Sequence, residues 1–308
     1  MNPLVSMMIA TYNQPDYILQ AVESCLNQNY ENIEVVVGDD STTDEVFNAL
    51  QPLLNNKKLK YFRNAKNLGR VNNYKKLLFD YAQGDWAIML DGDDYYIDVF
   101  FISTAVKWIN NNENVVLVAA GHLTIDDKKD EKLVVSLTEQ DKIFDGKEIF
   151  YQKKKIAQHA TNLYNRKLAL ELDFYRLNAW AADSEGLFRL CLHGNVVYLN
   201  NIVVIWRLHD SNNTFNAKLA ISQMHELVFI DMVYKYSLKY IDQKAAKEWR
   251  INIYTSLSYH IRDLAVKSRN FFTVLRVSLW ASKFWGLKAT FLFLKTTTNQ
   301  FFLKNNNS

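Results

Sequence analysis

Trp86-Ala87-Ile88-Met89-Leu90-Asp91-Gly92-Asp93-Asp94 sets five apolar residues directly against three acids and a glycine. A short apolar run closed by such a turn reads as a buried strand. Asp and Gly are ordinary turn residues, but a tight turn needs one glycine and not three acids beside it. The same grammar recurs toward the N-terminus. Val5–Ala10 ends in Thr11-Tyr12-Asn13, and Ile33–Val37 ends in Gly38-Asp39-Asp40-Ser41-Thr42. In open α/β sheets ligands bind beyond the carboxyl ends of the strands, so these three endings are one candidate site. Five carboxylates at one sheet edge repel one another unless a cation or hydrogen-bond donors lie between them. A divalent cation with oxygen ligands, Mg²⁺ or Mn²⁺, is the economical partner.

The intervening segments have helical spacing. Tyr17–Gln28 brings Ile18, Ala21, Val22, Cys25 and Leu26 onto one face, and helices are expected near 44–54, 72–82 and 100–110. With further strands at 59–62 and 115–121, the first 120 residues alternate as βαβ units around a largely parallel sheet. A hairpin over 123–136, a helix over 181–192 and two strand-like pieces within 196–206 follow, while about 141–178 offers no readable motif. Beyond residue 215 Gly286 is the only glycine, no proline occurs, and helix-permissive sequence dominates. The expected organisation is a domain over 1–215, divided near residue 120, and a helical region over 216–308.

Composition bounds the class. The 308 residues are 49% hydrophobic and 22% charged, which excludes a disordered chain, and 3 Pro with 9 Gly exclude collagen-like or linker-rich readings. Cys25 and Cys191 cannot build a disulfide framework, and the N-terminus lacks the basic lead and apolar length of a signal peptide, so an intracellular protein is expected. No G-x-G-x-x-G occurs, which argues against a dehydrogenase. Residues 1–215 carry 22 Lys+Arg against 28 Asp+Glu, whereas 216–308 carry 14 against 5 and no acid after Asp263. That basic end also holds Phe271, Phe272, Trp280, Phe284, Trp285, Phe291 and Phe293. It has no uncharged apolar run of membrane-spanning length. An interfacial helix pair broken near Gly286 and resting on anionic lipid is expected; a packed subdomain or a homo-oligomer interface is the alternative. Nucleic acid is not an expected partner, because the rest of the chain is acidic and no recognition motif is present.

Val5–Asn13, Ser24–Gln28, Glu34–Thr42, Asn67-Leu68-Gly69 with Asn73, and Leu90–Asp94, in that order, resemble the N-terminal half of family 2 glycosyltransferases, which have the GT-A fold. The resemblance extends over roughly residues 4–215. It implies that Thr11 and Tyr12 lie near a nucleotide base with Asn13 beside them, and that Asp40 accepts a hydrogen bond from a uracil ring. Asn73 belongs to the same donor half. Asp91-Gly92-Asp93 matches the Asp-x-Asp motif, its first acid near the ribose and its second holding a metal that bridges the diphosphate, with Asp94 as a neighbouring ligand candidate. Gly38 departs from the usual apolar residue before the acid pair.

The resemblance continues at Trp180–Arg189, where alignment on Arg189 puts Asp183 at the position of the base that deprotonates the acceptor. Glu185 is a second candidate there, and Ala182 stands where the family has Glu. Arg207-Leu208-His209 with Ser211 resembles the pattern closing the catalytic domain, which gives Arg207 to the diphosphate and His209 to the metal. His159 is a candidate for the acceptor pocket. The expectation is an inverting, Mn²⁺- or Mg²⁺-dependent transferase. It would take a nucleotide-diphosphate sugar, with UDP as the expected nucleotide, to a hydroxyl of a glycan or lipid-linked saccharide. The expected place is the cytoplasmic face of a bacterial membrane, in surface polysaccharide assembly. A nucleotidyltransferase and an inert carbohydrate-binding relative are the competing readings. The first lacks its Gly-rich loop after the opening strand, and the second sits poorly with Asp91, Asp93 and Asp183 together.

Overall fold

The computed structural model describes residues 2–126, 131–154, 156, 158–179, 181–209, 220–268, 270, 272–277, 279 and 280. The hairpin turn at 127–130, Ser211 and the helix pair expected about Gly286 lie outside the described residues. The chain divides into two compact units. One comprises residues 1–178 and 182–209, and the other holds 179–181 and the chain from 210 onward.

The first unit is built on a mixed sheet. Its first half runs β1 (Val5–Thr11), α1 (Pro15–Leu26), β2 (Ile33–Asp39), α2 (Glu45–Leu50), β3 (Leu59–Arg63), α3 (Arg70–Lys76), β4 (Trp86–Asp91), β5 (Tyr95–Tyr96) and α4 (Phe101–Asn111). Its second half runs β6 (Val115–Asp126), β7 (Glu131–Val135), β8 (Lys142–Asp145), α5 (Glu148–Tyr151), β9 (Asn162–Asn165), α6 (Arg166–Glu171), α7 (Ala182–Cys191) and β10 (Asn195–Leu208). The strand order is β3-β2-β1-β4-β9-β6-β10-β5, with β7 on β6 and β8 on β10. Every residue of β1 and β2 is buried, as expected of apolar-rich parallel strands covered on both faces, and the polar Ser6 and Glu34 within them bond each other. Pro15 opens α1, where its missing N–H is no loss, and Ile18, Ala21, Val22 and Cys25 face the core.

The strands β3-β2-β1-β4 pair in parallel, as expected. Two expectations need correction, and one strand had not been expected: β9 inserts antiparallel between β4 and β6. That strand, Asn162-Leu163-Tyr164-Asn165, is too short to show a period. The two pieces within 196–206 are one strand, β10; register shifts around Tyr198–Val204 absorb the polar Asn200-Asn201 that had marked a break. The helix expected over 72–82 starts at Arg70 and gives way at Leu77 to a π-helical turn through Tyr81.

The second unit contains α8 (Ala220–Glu226), α9 (Val228–Ser237) and α10 (Gln243–Lys267). Asp242 caps α10 by accepting the Ala245 N–H at 2.9 Å. Trp249, Ile261 and Leu264 are buried on its inner face, and Arg250 Nε reaches Asp231 Oδ1 at 2.7 Å. Among the described residues no helix is long and apolar enough to cross a membrane.

Candidate active site

Parallel pairing sets the first strand endings level. Thr11 lies opposite Asp39 in β2, and Ala10 opposite Asp91 in β4. The Asp40 N–H donates to the Thr11 carbonyl at 3.0 Å and the Gly92 N–H to the Ala10 carbonyl at 2.9 Å, so the turns after β2 and β4 both fold back on β1. A Cβ on Gly92 would stand 2.9 Å from Thr11 Cβ and Oγ1 and from Gln14 Oε1. Glycine is therefore what lets the Asp91–Asp94 turn approach Thr11. Tyr12 leaves its ring half exposed beyond the strand end. Asn13, at φ 52°, exchanges hydrogen bonds with Thr42 and donates its N–H to Ser41 Oγ at 2.8 Å.

The acids after β2 are saturated by the protein. Asp39 accepts from Tyr61 Oη at 2.5 Å and from the Ser41 N–H at 2.9 Å. Asp40 accepts from the Leu68 N–H at 2.8 Å, the Gly69 N–H at 2.9 Å and Asn64 Nδ2 at 3.1 Å. Its carboxylate thus anchors the Asn67–Gly69 loop, and a uracil ring would have to compete with those donors. Asn73 is likewise turned inward, giving Nδ2 to the Gly38 carbonyl at 2.8 Å and taking Asn64 Nδ2 on Oδ1 at 3.0 Å. The departure at Gly38 follows. A Cβ there would meet Asn73 Oδ1 at 2.7 Å and Leu77 Cγ at 2.8 Å.

The acids after β4 are crowded instead. Burial first, then the charges of Asp93 and Asp91, push the Asp94 carboxyl well above the usual carboxylate range. Burial and Asp91 also raise Asp93, against the pull of His209, whose Nε2 lies 2.7 Å from Asp93 Oδ2. Arg207 and His209 reach this turn because β5 pairs antiparallel with β10 at Val204 and Ile205. The Arg207 N–H donates to Asp94 Oδ1 at 3.0 Å, and its Nη1 to the Asp93 carbonyl at 2.7 Å. Its other terminal nitrogen binds Gln20 Oε1. The guanidinium carbon stands 4.4 Å from the Tyr95 ring centroid and 5.1 Å from that of Tyr17, and Tyr17 stacks in turn on His209 at 5.6 Å. Arg207 therefore clamps the turn.

Asp183 lies in the first turn of α7. Its charge acts on Arg70, Tyr74 and Tyr175. Tyr74 donates its hydroxyl to Asp91 Oδ1 and so orients the first acid of the Asp-x-Asp motif. Burial, then Asp91, holds the Tyr74 hydroxyl well above its ordinary pKa, so it remains a donor. Tyr175, at φ 60°, meets His159 Nε2 at 2.9 Å, and the His159 ring sits edge-on to Tyr74 at 5.1 Å. A left-handed backbone is uncommon for an aromatic residue and belongs with the special geometry of sites. Glu185 is fully buried between Arg176 Nη2 at 2.5 Å and Arg189 Nη2 at 2.7 Å, a structural ion pair and not a second base. Sequence reading missed Arg70, Tyr74, Tyr17 and Tyr95. Only Arg70 and Tyr74 had a signal, their place directly after the Asn-Leu-Gly motif.

Among the described residues no group of three or more His, Cys, Asp or Glu side chains is arranged to hold a metal. Mg²⁺ and Mn²⁺ bind through one or two carboxylates and complete their shell with substrate phosphates and water. Asp93 with His209 suits that limited role, and a cation there would relieve the crowding that raises Asp93 and Asp94. Asp94 is almost wholly buried beneath the turn and engaged by Arg207, which makes it a support for that pair.

A sheet ordered this way, with acids on the ends of β2 and β4, defines a GT-A glycosyltransferase fold. Residues 6–172 match the model of Glycosyl transferase family 2, and the chain belongs to that family. It is 24% identical over 254 residues to a putative colanic acid biosynthesis glycosyl transferase of Escherichia coli K12, covering 82% of this chain and 74% of that protein. It is 37% identical over 98 residues to an E. coli UDP-Glc:alpha-D-GlcNAc-diphosphoundecaprenol beta-1,3-glucosyltransferase, covering 30% of this chain and 37% of that one. The chain spans little more than a third of the length of several curated relatives it matches. S. aureus TarS 1-349 in complex with UDP-GlcNAc superimposes with a TM-score of 0.67 at 16% identity, covering 90% of this chain and 83% of that one. A Pyrobaculum calidifontis mannosyltransferase in complex with GDP-Man and Mn²⁺ gives 0.61 at 14%, covering 99% and 87%.

Proposed function

We propose that the chain is an inverting, metal-dependent glycosyltransferase that moves a sugar from a UDP-sugar to a hydroxyl of a lipid-linked saccharide during assembly of a bacterial surface polysaccharide. The observation that carries this reading is the pairing of Asp93 with His209 beside an Asp91 that the Tyr74 hydroxyl holds, in a chain of the glycosyltransferase family. The relatives' names support the donor and acceptor class: one acts on a diphosphoundecaprenol-linked sugar, and TarS is bound to UDP-GlcNAc. A bound cation would neutralise charge on the departing diphosphate. The chain's own part is to hold that cation with Asp93 and His209, keep Asp91 oriented through the Tyr74 hydroxyl, and take the acceptor proton on an Asp183 carboxylate oxygen. Calorimetry with UDP, GDP and dTDP, each with Mn²⁺, Mg²⁺ or EDTA, tests it. UDP binding that needs the metal and is lost in Asp93→Ala is expected; no binding of any nucleotide would sink the reading and favour an inert glycan-binding relative.

The basic C-terminal stretch supports contact with the membrane that carries such an acceptor. Lys267, Arg269, Arg276, Lys283, Lys288, Lys295 and Lys304 follow Asp263 with no acid among them, a pattern that suits anionic lipid. Co-sedimentation with phosphatidylglycerol vesicles, weakening as salt rises, is the expected result; equal retention on neutral phosphatidylcholine would count against it.

A further inference from the structure

Helix α1 divides its contacts. Ile18, Ala21, Val22 and Cys25 are buried in the core, whereas Tyr17 and Gln20, three residues apart and so on one side of the helix, meet the end of β10. The Tyr17 ring lies against two side chains there. The His209 imidazole stacks on it with 5.6 Å between centroids and 13° between planes, and the Arg207 guanidinium carbon stands 5.1 Å from the same centroid. Both neighbours serve the Asp93–Asp94 turn. His209 Nε2 lies 2.7 Å from Asp93 Oδ2, while Arg207 gives its N–H to Asp94 Oδ1 and its Nη1 to the Asp93 carbonyl.

Tyr17 is fixed by the backbone that carries it. Pro15 opens α1, the Tyr17 and Ile18 N–H groups both donate to the Gln14 carbonyl, at 3.3 and 3.1 Å, and the neighbouring Ile18 is wholly buried. The ring thus stands on a rigid element, while the imidazole it meets follows directly on Leu208, the last paired residue of β10. We propose that Tyr17 is a positioning residue for the cation site: its ring sets the plane of His209 so that Nε2 stays on Asp93, and Arg207, itself tied to the turn, braces the ring. The inference rests on the metal-dependent transferase reading above and places an aromatic side chain behind the two candidate ligands. An imidazole and a carboxylate hold one ion together only in a narrow range of orientations, so a residue that fixes the imidazole strengthens the site without touching the ion. Contact through the ring face suits that task, because both imidazole nitrogens lie at the ring edge and are left to polar partners.

The test is the Mn²⁺ concentration at which half of the UDP binding of the full-length protein appears, read by calorimetry and so independent of turnover. Tyr17→Leu should raise it by about 10- to 100-fold, the usual effect of losing a side chain that orients a metal ligand. Tyr17→Phe keeps the ring and should stay close to wild type. Tyr17→Met takes the place of Tyr17→Leu if that variant does not fold. A cycle with His209→Gln separates positioning from general damage: once the imidazole is gone, Tyr17→Leu should add little to the loss. Wild-type Mn²⁺ dependence in Tyr17→Leu, an equal loss in Tyr17→Phe, or full additivity with His209→Gln overturns the proposal, while metal-dependent UDP binding by the wild type keeps the transferase reading. Wild-type UDP binding that ignores Mn²⁺ overturns the metal dependence and this proposal with it. A wild type that binds no nucleoside diphosphate overturns the transferase reading as well.

Discussion

The acid pair after β2 and the acid triplet after β4 occupy strand ends on either side of β1 and are read from the sequence in the same way, yet the protein treats them oppositely. Asp39 and Asp40 are wrapped in donors: a tyrosine hydroxyl, an asparagine amide and three backbone N–H groups. Asp93 and Asp94 are pushed together with Asp91 and raised in pKa by burial and mutual repulsion. A saturated carboxylate is part of the fold, whereas a crowded one is under tension that a ligand can relieve. Acid at a strand end is thus a poor discriminator of function until its hydrogen-bond donors are counted.

Substitution should separate the two groups. Asp93→Ala is expected to reduce metal-dependent UDP binding by about a hundredfold or more, since it removes the carboxylate that pairs with His209. Its melting temperature should hold or rise, because one member of a repelling cluster is gone. Asp40→Ala should do the reverse first. With the Leu68 and Gly69 N–H groups and Asn64 left without their acceptor, unfolding by urea should show a loss of about 2–4 kcal/mol. If Asp40→Ala kept full stability and Asp93→Ala lost it, the division between the two clusters would be wrong.

Gly38→Ala sharpens the comparison from the packing side. The new methyl would lie 2.7 Å from Asn73 Oδ1 and 2.8 Å from Leu77 Cγ, so α3 and the π-helical turn must shift or the Asn73 bridge must break. A loss of about 1–3 kcal/mol is expected from the same unfolding measurement. Asn73→Ala in the Gly38→Ala background should return part of it, because the methyl then has room.

Most of the frame was legible because its signals are local. The buried strands β1, β2 and β4 are mostly apolar runs, β1 and β2 each interrupted by one polar residue, and α1 shows its face in four core residues. β9 was not legible, since four residues flanked by Asn carry no period and their partners, β4 and β6, are distant in sequence. In the site, Asp91 and Asp93 stood out as acids at a strand end, while Asp183 and His209 were named through the family resemblance. The clamping contacts of Arg207 depend on Tyr17, Gln20 and Tyr95, which come from other elements and have no motif. The same limit hid the saturation of Asp40, because its donors follow it by more than twenty residues.

The opposite end of the same strands offers the smallest expected effect and a control for the comparison. Glu34 is buried at the start of β2, yet it is surrounded by donors: Ser6 Oγ at 2.5 Å, Lys60 Nζ at 2.6 Å and the Gln83 N–H at 2.6 Å. Burial alone would raise its pKa, but Lys60, Ser6 and the Gln83 N–H together win and lower it. A folded-state pKa below the unfolded value means that the unfolded chain binds the proton more readily. The stabilisation is therefore present above the unfolded pKa and is lost as pH falls through the folded one. Glu34→Gln should cost about 1–2 kcal/mol at pH 7 by urea unfolding. The difference from wild type should shrink on titration below about pH 4, where the wild-type carboxylate also takes up its proton. A gap that stayed constant down to pH 3 would mean that the side chain acts by shape alone. The rule that a donor-rich carboxylate holds the fold would then lose its clearest case away from the site.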